Sequence, residues 1–254
     1  HHGLKEKVCK RGSLGVAIIL GSDAQRAWQR AGKQVLRFGD RILAVRLTLE
    51  DDEKRDVRVL FASGYAPDSG KTTAEVDDFY VKFGELLDAC DDDEVLIFGS
   101  DINASVGIAT TPEEKKIVGN FGIKHRNAAG ERMLDFCARR ELRLASTYFR
   151  HFSYASWWHP RNKKGYQLDH FIVKRSDFKR VMNASLNAAN SAQSDHVGIK
   201  LKFRVARRLV QHNDRPKLER IDRSKIMEMP HLDEKNEQQL GGQAEFIERF
   251  KEIV

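Results

Sequence analysis

The apolar run at residues 95–98 (VLIF) stops at Gly99 and passes directly into the polar segment Ser100-Asp101-Ile102-Asn103. A run so short and so uniformly apolar fits a strand buried on both faces rather than a helix. Such a strand needs paired neighbours in its sheet and covering layers on both sides, and its abrupt end delivers polar side chains to a cleft. Other segments obey the same plan. Residues 14–20 (LGVAIIL) read as a second buried strand. Residues 41–49 and 57–63 alternate polar and apolar side chains on either side of an acidic turn at 50–53, the pattern of a hairpin with one covered face. Residues 142–145, 167–173 and 197–205 supply further strand-like runs.

Helical spacing enters twice between these strands. From a cap at Thr73 or a neighbour to about Ala89, the side chains of Val76, Phe79, Phe83, Leu86 and Leu87 fall on one face. From Glu131 to Arg140 the apolar side is Met133, Leu134, Phe136 and Cys137. Residues 107–130, rich in Gly and Asn, read as the loop that leads into this second helix. Strands and helices interleaved without strict βαβ regularity predict an α/β domain of two packed sheets flanked by helices. One domain is expected over residues 1–207. Beyond it charge is dense and mixed, Pro216, Pro230 and Gly241-Gly242 interrupt, and periodicity returns only at 244–254, so residues 208–254 read as a charged linker with a C-terminal helix.

The formal charge of +7 is unevenly spread: residues 150–208 hold thirteen Lys and Arg against three Asp. That concentration points to a polyanionic partner. No run approaches the roughly 18 apolar residues of a membrane helix. Gly119 and Gly122 are too sparse for a phosphate-cradling loop, which argues against a nucleotide cofactor. Cys9, Cys90 and Cys137 show neither zinc-ligand nor disulfide spacing, so a reducing, intracellular compartment, nuclear or cytoplasmic, is expected.

Four polar segments sit at the ends of the strand-like runs: Tyr65 in SGYAPD, Asp101 and Asn103 in GSDINAS, Asp169 in YQLDHF, and Asp195-His196 in SDHVGI. Any one of them is weak, because a lone Asp at a strand end is usually a turn former or a cap. Together they supply three carboxylates, an amide, a phenol and an imidazole, which is what metal-assisted phosphodiester hydrolysis requires. That reaction activates a water, neutralises the phosphate oxygens and stabilises a departing alkoxide. Carboxylate oxygens suit Mg²⁺. Two residues apart on a strand, Asp101 and Asn103 would point to the same side.

The order Tyr-x-Pro, Asp-x-Asn, Leu-Asp and Ser-Asp-His resembles the later motifs of the endonuclease/exonuclease/phosphatase family, which includes DNase I and apurinic endonucleases, over residues 14 to about 205. GNFGIKHRNAAGERMLDFC, LRLASTYF and SWWHP are most similar to the endonucleases of non-LTR retrotransposons and to the domesticated craniofacial development protein 2-like group. The resemblance implies a four-layered α/β sandwich (DNase I-like), Mg²⁺ or Mn²⁺ as cofactor, DNA as partner, a monomer, and cleavage leaving a 3′-hydroxyl. It assigns Tyr65 to polarising the phosphate, Asp101 to activating water, Asn103 to orienting water and phosphate, and Asp195 to the metal. Asp169 would orient His196, and His196 would bind or protonate the scissile phosphate. The family opens with a strand bearing Asn and another ending in Gln-Glu, whose glutamate is the principal metal ligand. Before LGVAIIL the sole glutamate is Glu6, in a different context. The chain is therefore expected to be a domain truncated at its N-terminal end, poor in Mg²⁺ binding and slow or silent in cleavage. Besides a DNA endonuclease, a noncatalytic nucleic-acid or chromatin-binding module and a phosphatase of the same fold stay open.

Trp157 and Trp158 follow Tyr154 in a stretch flanked by Arg150, Arg161, Lys163 and Lys164, where aromatics and cations interleave as on a DNA-facing surface. Alternation turns the two rings opposite ways, one into sheet packing and one outward. His125 and Asn127 read as plain loop residues. His151, His159 and His170 lack ligand spacing and read as surface or packing residues.

Overall fold

The computed structural model describes residues 2–4, 13–187 and 194–205. In chain order its elements are β1 (His2–Leu4), β2 (Ser13–Val16), α1 (Ser22–Arg30), β3 (Val35–Phe38), β4 (Ile42–Glu50), β5 (Asp56–Tyr65), α2 (Thr73–Asp88) and β6 (Val95–Asp101). There follow α3 (Ala128–Arg139), β7 (Leu142–Leu144), β8 (Trp157–Trp158), β9 (Gly165–Tyr166), β10 (Asp169–Lys174), β11 (Val181–Asn187) and β12 (Gly198–Phe203). Six strands make one mixed sheet in the order β3-β4-β5-β6-β10-β7. β5 and β6 run parallel and the other neighbours antiparallel. The parallel pair needs a crossover, and α2 supplies it. Thr72 starts that helix with a capping box: its hydroxyl accepts from the Glu75 N–H at 3.2 Å, and the Glu75 carboxylate accepts from the Thr72 N–H at 3.0 Å.

Strand alternation divides the sheet into two faces. Leu60, Ala62, Leu96, Phe98 and Ile172 meet Phe79, Phe83 and Leu86 of α2 and Met133, Phe136 and Cys137 of α3 in one tightly buried cluster. The opposite face carries Val57, Val59, Val95 and Ile97, and is covered by Ala27 and Trp28 of α1 and by Leu201 and Phe203 of the two-stranded β11–β12 sheet. The expected mixed α/β architecture, a sheet flanked by helices, is thus present. Among the described residues the second sheet layer is the β11–β12 pair.

Several boundaries differ from the sequence reading for physical reasons. The run at residues 14–20 is a strand only as far as Val16, and it pairs with β1 rather than with the main sheet. Val16 is buried but Ile19 is almost wholly exposed, so the expected buried strand is corrected to a short strand and an extended lead into α1. The helix α1 went unread because its sequence, SDAQRAWQR, buries only Ala27. α3 starts at Ala128, ahead of Glu131, because Asn127 caps it: the Asn127 side-chain oxygen accepts from the Gly130 N–H at 2.8 Å. Cys90 and Cys137 are free and buried, as small core residues. Glu6, Cys9 and the expected linker and helix over residues 208–254 lie outside the described residues. No helix among the described residues is long and apolar enough to cross a membrane.

Candidate active site

Cross-strand register gathers the site. Tyr65 at the end of β5 is paired with Asp101 at the end of β6, and Asp101 is paired with Asp169 at the start of β10. The three lie in one row across the sheet, and by alternation they follow Phe61, Ile97 and Phe171 onto the face opposite α2 and α3. Gly99 leaves space between Ile97 and Asp101 on that face. A Cβ there would stand 3.0 Å from the Phe171 ring, so glycine lets the ring lie beside the row. An open cavity of about 360 Å³, lined by Ile18, Phe61, Ser63, Gly99 and Phe171, reaches Asp101 and Asp169 from the sheet face.

His196 completes the arrangement from another segment. Its Nδ1 is 2.9 Å from Asp169 Oδ2 and its Nε2 is 3.9 Å from Asp101 Oδ2. A backbone scaffold centred on buried Ser156 holds both sides of this contact. The Ser156 hydroxyl accepts from the N–H groups of Leu168 and Asp169 at 3.0 and 3.1 Å, and its carbonyl accepts from the Val197 N–H at 2.7 Å. Burial, and next the neighbouring Asp169 charge, push the Asp101 carboxyl up to about 6. The hydrogen bond that His196 Nδ1 donates to the Asp169 carboxylate raises the His196 imidazole above its ordinary value. The pair therefore favours an imidazolium beside a carboxylate that can still take up a proton near neutrality.

The remaining sequence candidates fall in different places. Asp195 is turned aside: its Oδ2 accepts from the Trp157 indole N–H at 2.8 Å, which lowers its carboxyl. Among the described residues, the carboxylates and imidazole close enough to share one ion are Asp101, Asp169 and His196, whose ligand atoms lie within 4.8 Å of one another. Asn103 does not share Asp101's side by alternation, because β6 ends at Asp101 and Asn103 adopts a left-handed conformation (φ 46°). Its amide instead donates to Ala66 O at 2.8 Å, and its N–H donates to Asp101 Oδ1 at 2.9 Å, so it latches the ends of β5 and β6 together.

Trp157 is half-buried and packs on His196, Tyr166 and His159 at 5.7 to 6.3 Å between ring centroids, while Trp158 faces solvent. Opposite orientation was legible; packing of the inner ring on the site, instead of in the sheet core, was not. Arg161, Lys163 and Lys164 are exposed in the turn joining β8 and β9, and Arg150 is exposed in the segment before β8. His170 is fully buried, with Nδ1 2.9 Å from Ser146 Oγ, and burial lowers its imidazole to about 4. It is a neutral packing residue.

Arg41 was missed. Its guanidinium stands 5.6 Å from the Tyr65 ring centroid and donates to Tyr65 O at 3.3 Å, and its Nη2 is buried without a hydrogen-bond partner. An uncommitted cationic N–H beside the row is a feature that an anion would satisfy. In the sequence Arg41 was simply the first residue of an alternating strand, and nothing local distinguished it.

The chain is thus a mixed α/β fold with two carboxylates and an imidazole gathered at the ends of its sheet strands. In sequence it is similar to craniofacial development protein 2 of Tragulus javanicus, with 28% identity over 204 residues, covering 80% of this chain and 33% of that protein. It is equally similar to craniofacial development protein 2 of Bos taurus, with 28% identity over 204 residues, covering 80% of this chain and 32% of that protein. The chain spans about a third of the length of these curated relatives. No family model matches it. Among solved structures it resembles the endonuclease domain of TRAS1, a telomere-specific non-LTR retrotransposon, at 14% identity and TM-score 0.47, covering 67% of this chain and 68% of that one. It also resembles the AP endonuclease LMAP from Leishmania major, at 18% identity and TM-score 0.46, covering 65% and 55%.

Proposed function

We propose that this chain is the phosphodiesterase domain of a DNA endonuclease that works with Mg²⁺ or Mn²⁺. The observation that carries the reading is His196 bridging two carboxylates, 2.9 Å from Asp169 and 3.9 Å from Asp101, at the open end of the sheet. A structural ion pair has no need of a second, mostly buried carboxylate whose proton affinity is raised.

The described donors fit a hard divalent cation. Asp169 Oδ2 is committed to His196, but Mg²⁺ retains several waters and is held by as few as one or two carboxylates. Asp101, which lies with Asp169 and His196 within reach of one ion, would hold it, and its carboxyl, raised first by burial and next by the Asp169 charge, gains from a cation nearby; Asp195, whose Oδ2 is engaged by the Trp157 indole, has only its other oxygen to offer. When bound, the cation supplies charge neutralisation on the phosphate oxygens. The chain's own residues do the rest. Asp101 accepts a proton from the attacking water, His196 donates from Nε2 toward a phosphate oxygen, and Asp169 holds the imidazole by Nδ1 so that Nε2 faces the site. Arg41 and Tyr65 supply N–H and O–H donors on the far side of Asp101. Asn103 keeps the β5 and β6 ends together. DNA as substrate agrees with the cations Arg150, Arg161, Lys163 and Lys164 on the exposed surface, and with an intracellular, nuclear or cytoplasmic site of action.

The test is nicking of supercoiled plasmid, with Mg²⁺ or Mn²⁺ in excess, by the chain extended upstream with a strand ending in Gln-Glu, beside Asp101→Ala and His196→Ala variants of the extended form; the chain alone is expected to be slow or silent. Nicking that EDTA stops and that each substitution slows by about 100-fold or more supports the reading. Salt-sensitive DNA binding without nicking under either metal would replace it with a noncatalytic nucleic-acid-binding module. Turnover of inositol phosphates with a shallow salt dependence would replace it with a phosphatase.

A further inference from the structure

Strand alternation gives the β11–β12 layer two unlike faces. On the inner one Ala184 and Leu201, which are cross-strand partners, join Phe203 in the apolar clusters that cover the six-stranded sheet. The alternate positions face outward: Asn183 and Ser185 on β11, and Lys202 and Lys200 opposite them on β12. Lys200 and Lys202 are exposed, and Arg204 continues the alternation just past the strand. Lys179 is exposed in the 3₁₀ turn Arg175–Arg180 that leads into β11.

A solvated face usually mixes its signs, and elsewhere the molecule does so. Arg58 on β5 meets Asp93 at 2.9 Å, Lys82 on α2 meets Glu85 at 2.7 Å, and Arg140 after α3 meets Asp88 at 2.8 Å. Among the described residues Lys179, Lys200, Lys202 and Arg204 form no ion pair. Asp177, in the same turn as Lys179, is paired with Arg180 at 3.9 Å. Like charges gathered without counter-charge repel one another, and a bound polyanion relieves that repulsion.

The side chains also narrow the kind of polyanion. No aromatic ring stands at these outward positions, so unpaired bases would find nothing to stack on. Lys, Asn and Ser are side chains that grip the phosphates of a duplex. The face looks away from the sheet that carries Tyr65, Asp101 and Asp169, so a duplex held here lies across the layer from one presented to the candidate site.

We propose that the outward face of β11–β12 is a second DNA-binding surface, which holds the backbone of a duplex other than the one at the candidate site and lets the domain bridge two duplexes. This goes beyond the endonuclease reading and does not depend on a metal.

The experiment uses the full chain in EDTA at low salt, a short biotinylated duplex on beads and a fluorescent duplex of unrelated sequence in solution. Wild type should carry the fluorescent duplex onto the beads. Lys200→Gln/Lys202→Gln should melt like wild type and still bind the bead duplex, but lose most of the capture. Each single Lys→Gln change should make the salt dependence of capture shallower by about one unit of log–log slope. Lys200→Arg/Lys202→Arg should keep capture. The proposal is overturned if wild type captures no second duplex, or if the double Gln variant captures as well as wild type. It is also overturned if that variant loses the bead duplex as fully as the second one, because the face then lies on the path of a single duplex. Capture that depends on Lys200 and Lys202, with no nicking by the upstream-extended form, leaves this surface standing and removes the endonuclease reading. Nicking without capture does the reverse.

Discussion

The two faces of the central sheet are built to different standards. Under α2 and α3, Leu60, Ala62, Phe83, Leu86, Leu96, Phe98, Cys137 and Ile172 have no measurable exposure. On the other face Phe61, Phe171, Leu201 and Phe203 are only partly covered, and a cavity of about 360 Å³ runs along them to Asp101 and Asp169. The same strands serve both faces, so the dense side fixes register for residues whose chemistry lies on the loose side. Tyr65, Asp101 and Asp169 form a row because Leu60, Phe98 and Ile172, one residue out of phase, are locked in the core. The difference teaches that stability and chemistry are divided by strand alternation rather than by domain.

The strongest way to break this comparison is to empty both faces in turn. Phe83→Ala, which removes a ring stacked on Phe136 and tilted against Phe98, should cost about 3–5 kcal/mol in urea unfolding. Phe171→Ala, on the partly covered face, should cost about half as much. Equal losses would show that the second face is as tightly packed as the first.

A polar substitution at the site should act in the opposite direction. The Asp101 carboxyl is held at about 6, above its ordinary 3.8, so the folded state disfavours its ionised form. Its contribution to stability is present below pH 3.8 and lost as pH rises through about 6. At pH 7 Asp101→Asn should therefore stabilise the chain by about 1–2 kcal/mol while removing nicking. A ¹³C titration of the metal-free chain should give the elevated value directly, and Asp169→Asn should lower it. A variant both inactive and less stable would show that Asp101 supports the fold instead.

At the entry to α2 the expected effect is smaller. Thr72→Ala removes the hydroxyl half of the capping box and should cost about 1 kcal/mol by thermal unfolding, without changing nicking. Smaller still is the effect of acid on the loop before α3. Hydrogen bonds from Arg126, first of all, hold the Glu114 carboxyl at about 2, below its ordinary 4.5, and Arg126 also ties down Val106 O and Ile108 O at 2.8 and 3.0 Å. A lowered carboxyl stabilises above pH 4.5 and loses that contribution as pH falls toward about 2. Acid unfolding of wild type should be steeper across this window than that of Glu114→Gln.

Much of this was legible in the residues. The brief run of VLIF, the spacing of Phe79, Phe83 and Leu86, and the four polar motifs are local signals, because periodicity and turn chemistry act over a few residues. Strand β6, helix α2 and the pairing of Asp169 with His196 all follow from them or from the resemblance they carry. α1 and β3 left weak local marks, since few of their side chains are buried. Asn103, Asp195 and Arg41 could not be placed by pattern at all. Asn103 turns to Ala66 because β6 ends two residues earlier, Asp195 turns to an indole from another strand, and Arg41 becomes an uncommitted cation only where β4 meets the end of β5. The sequence by itself determined the core strands and the two apolar-faced helices, and which polar types stand at their ends. Tertiary structure alone decided which of those groups face one another, because that depends on register across strands far apart in the chain and on the burial that register creates.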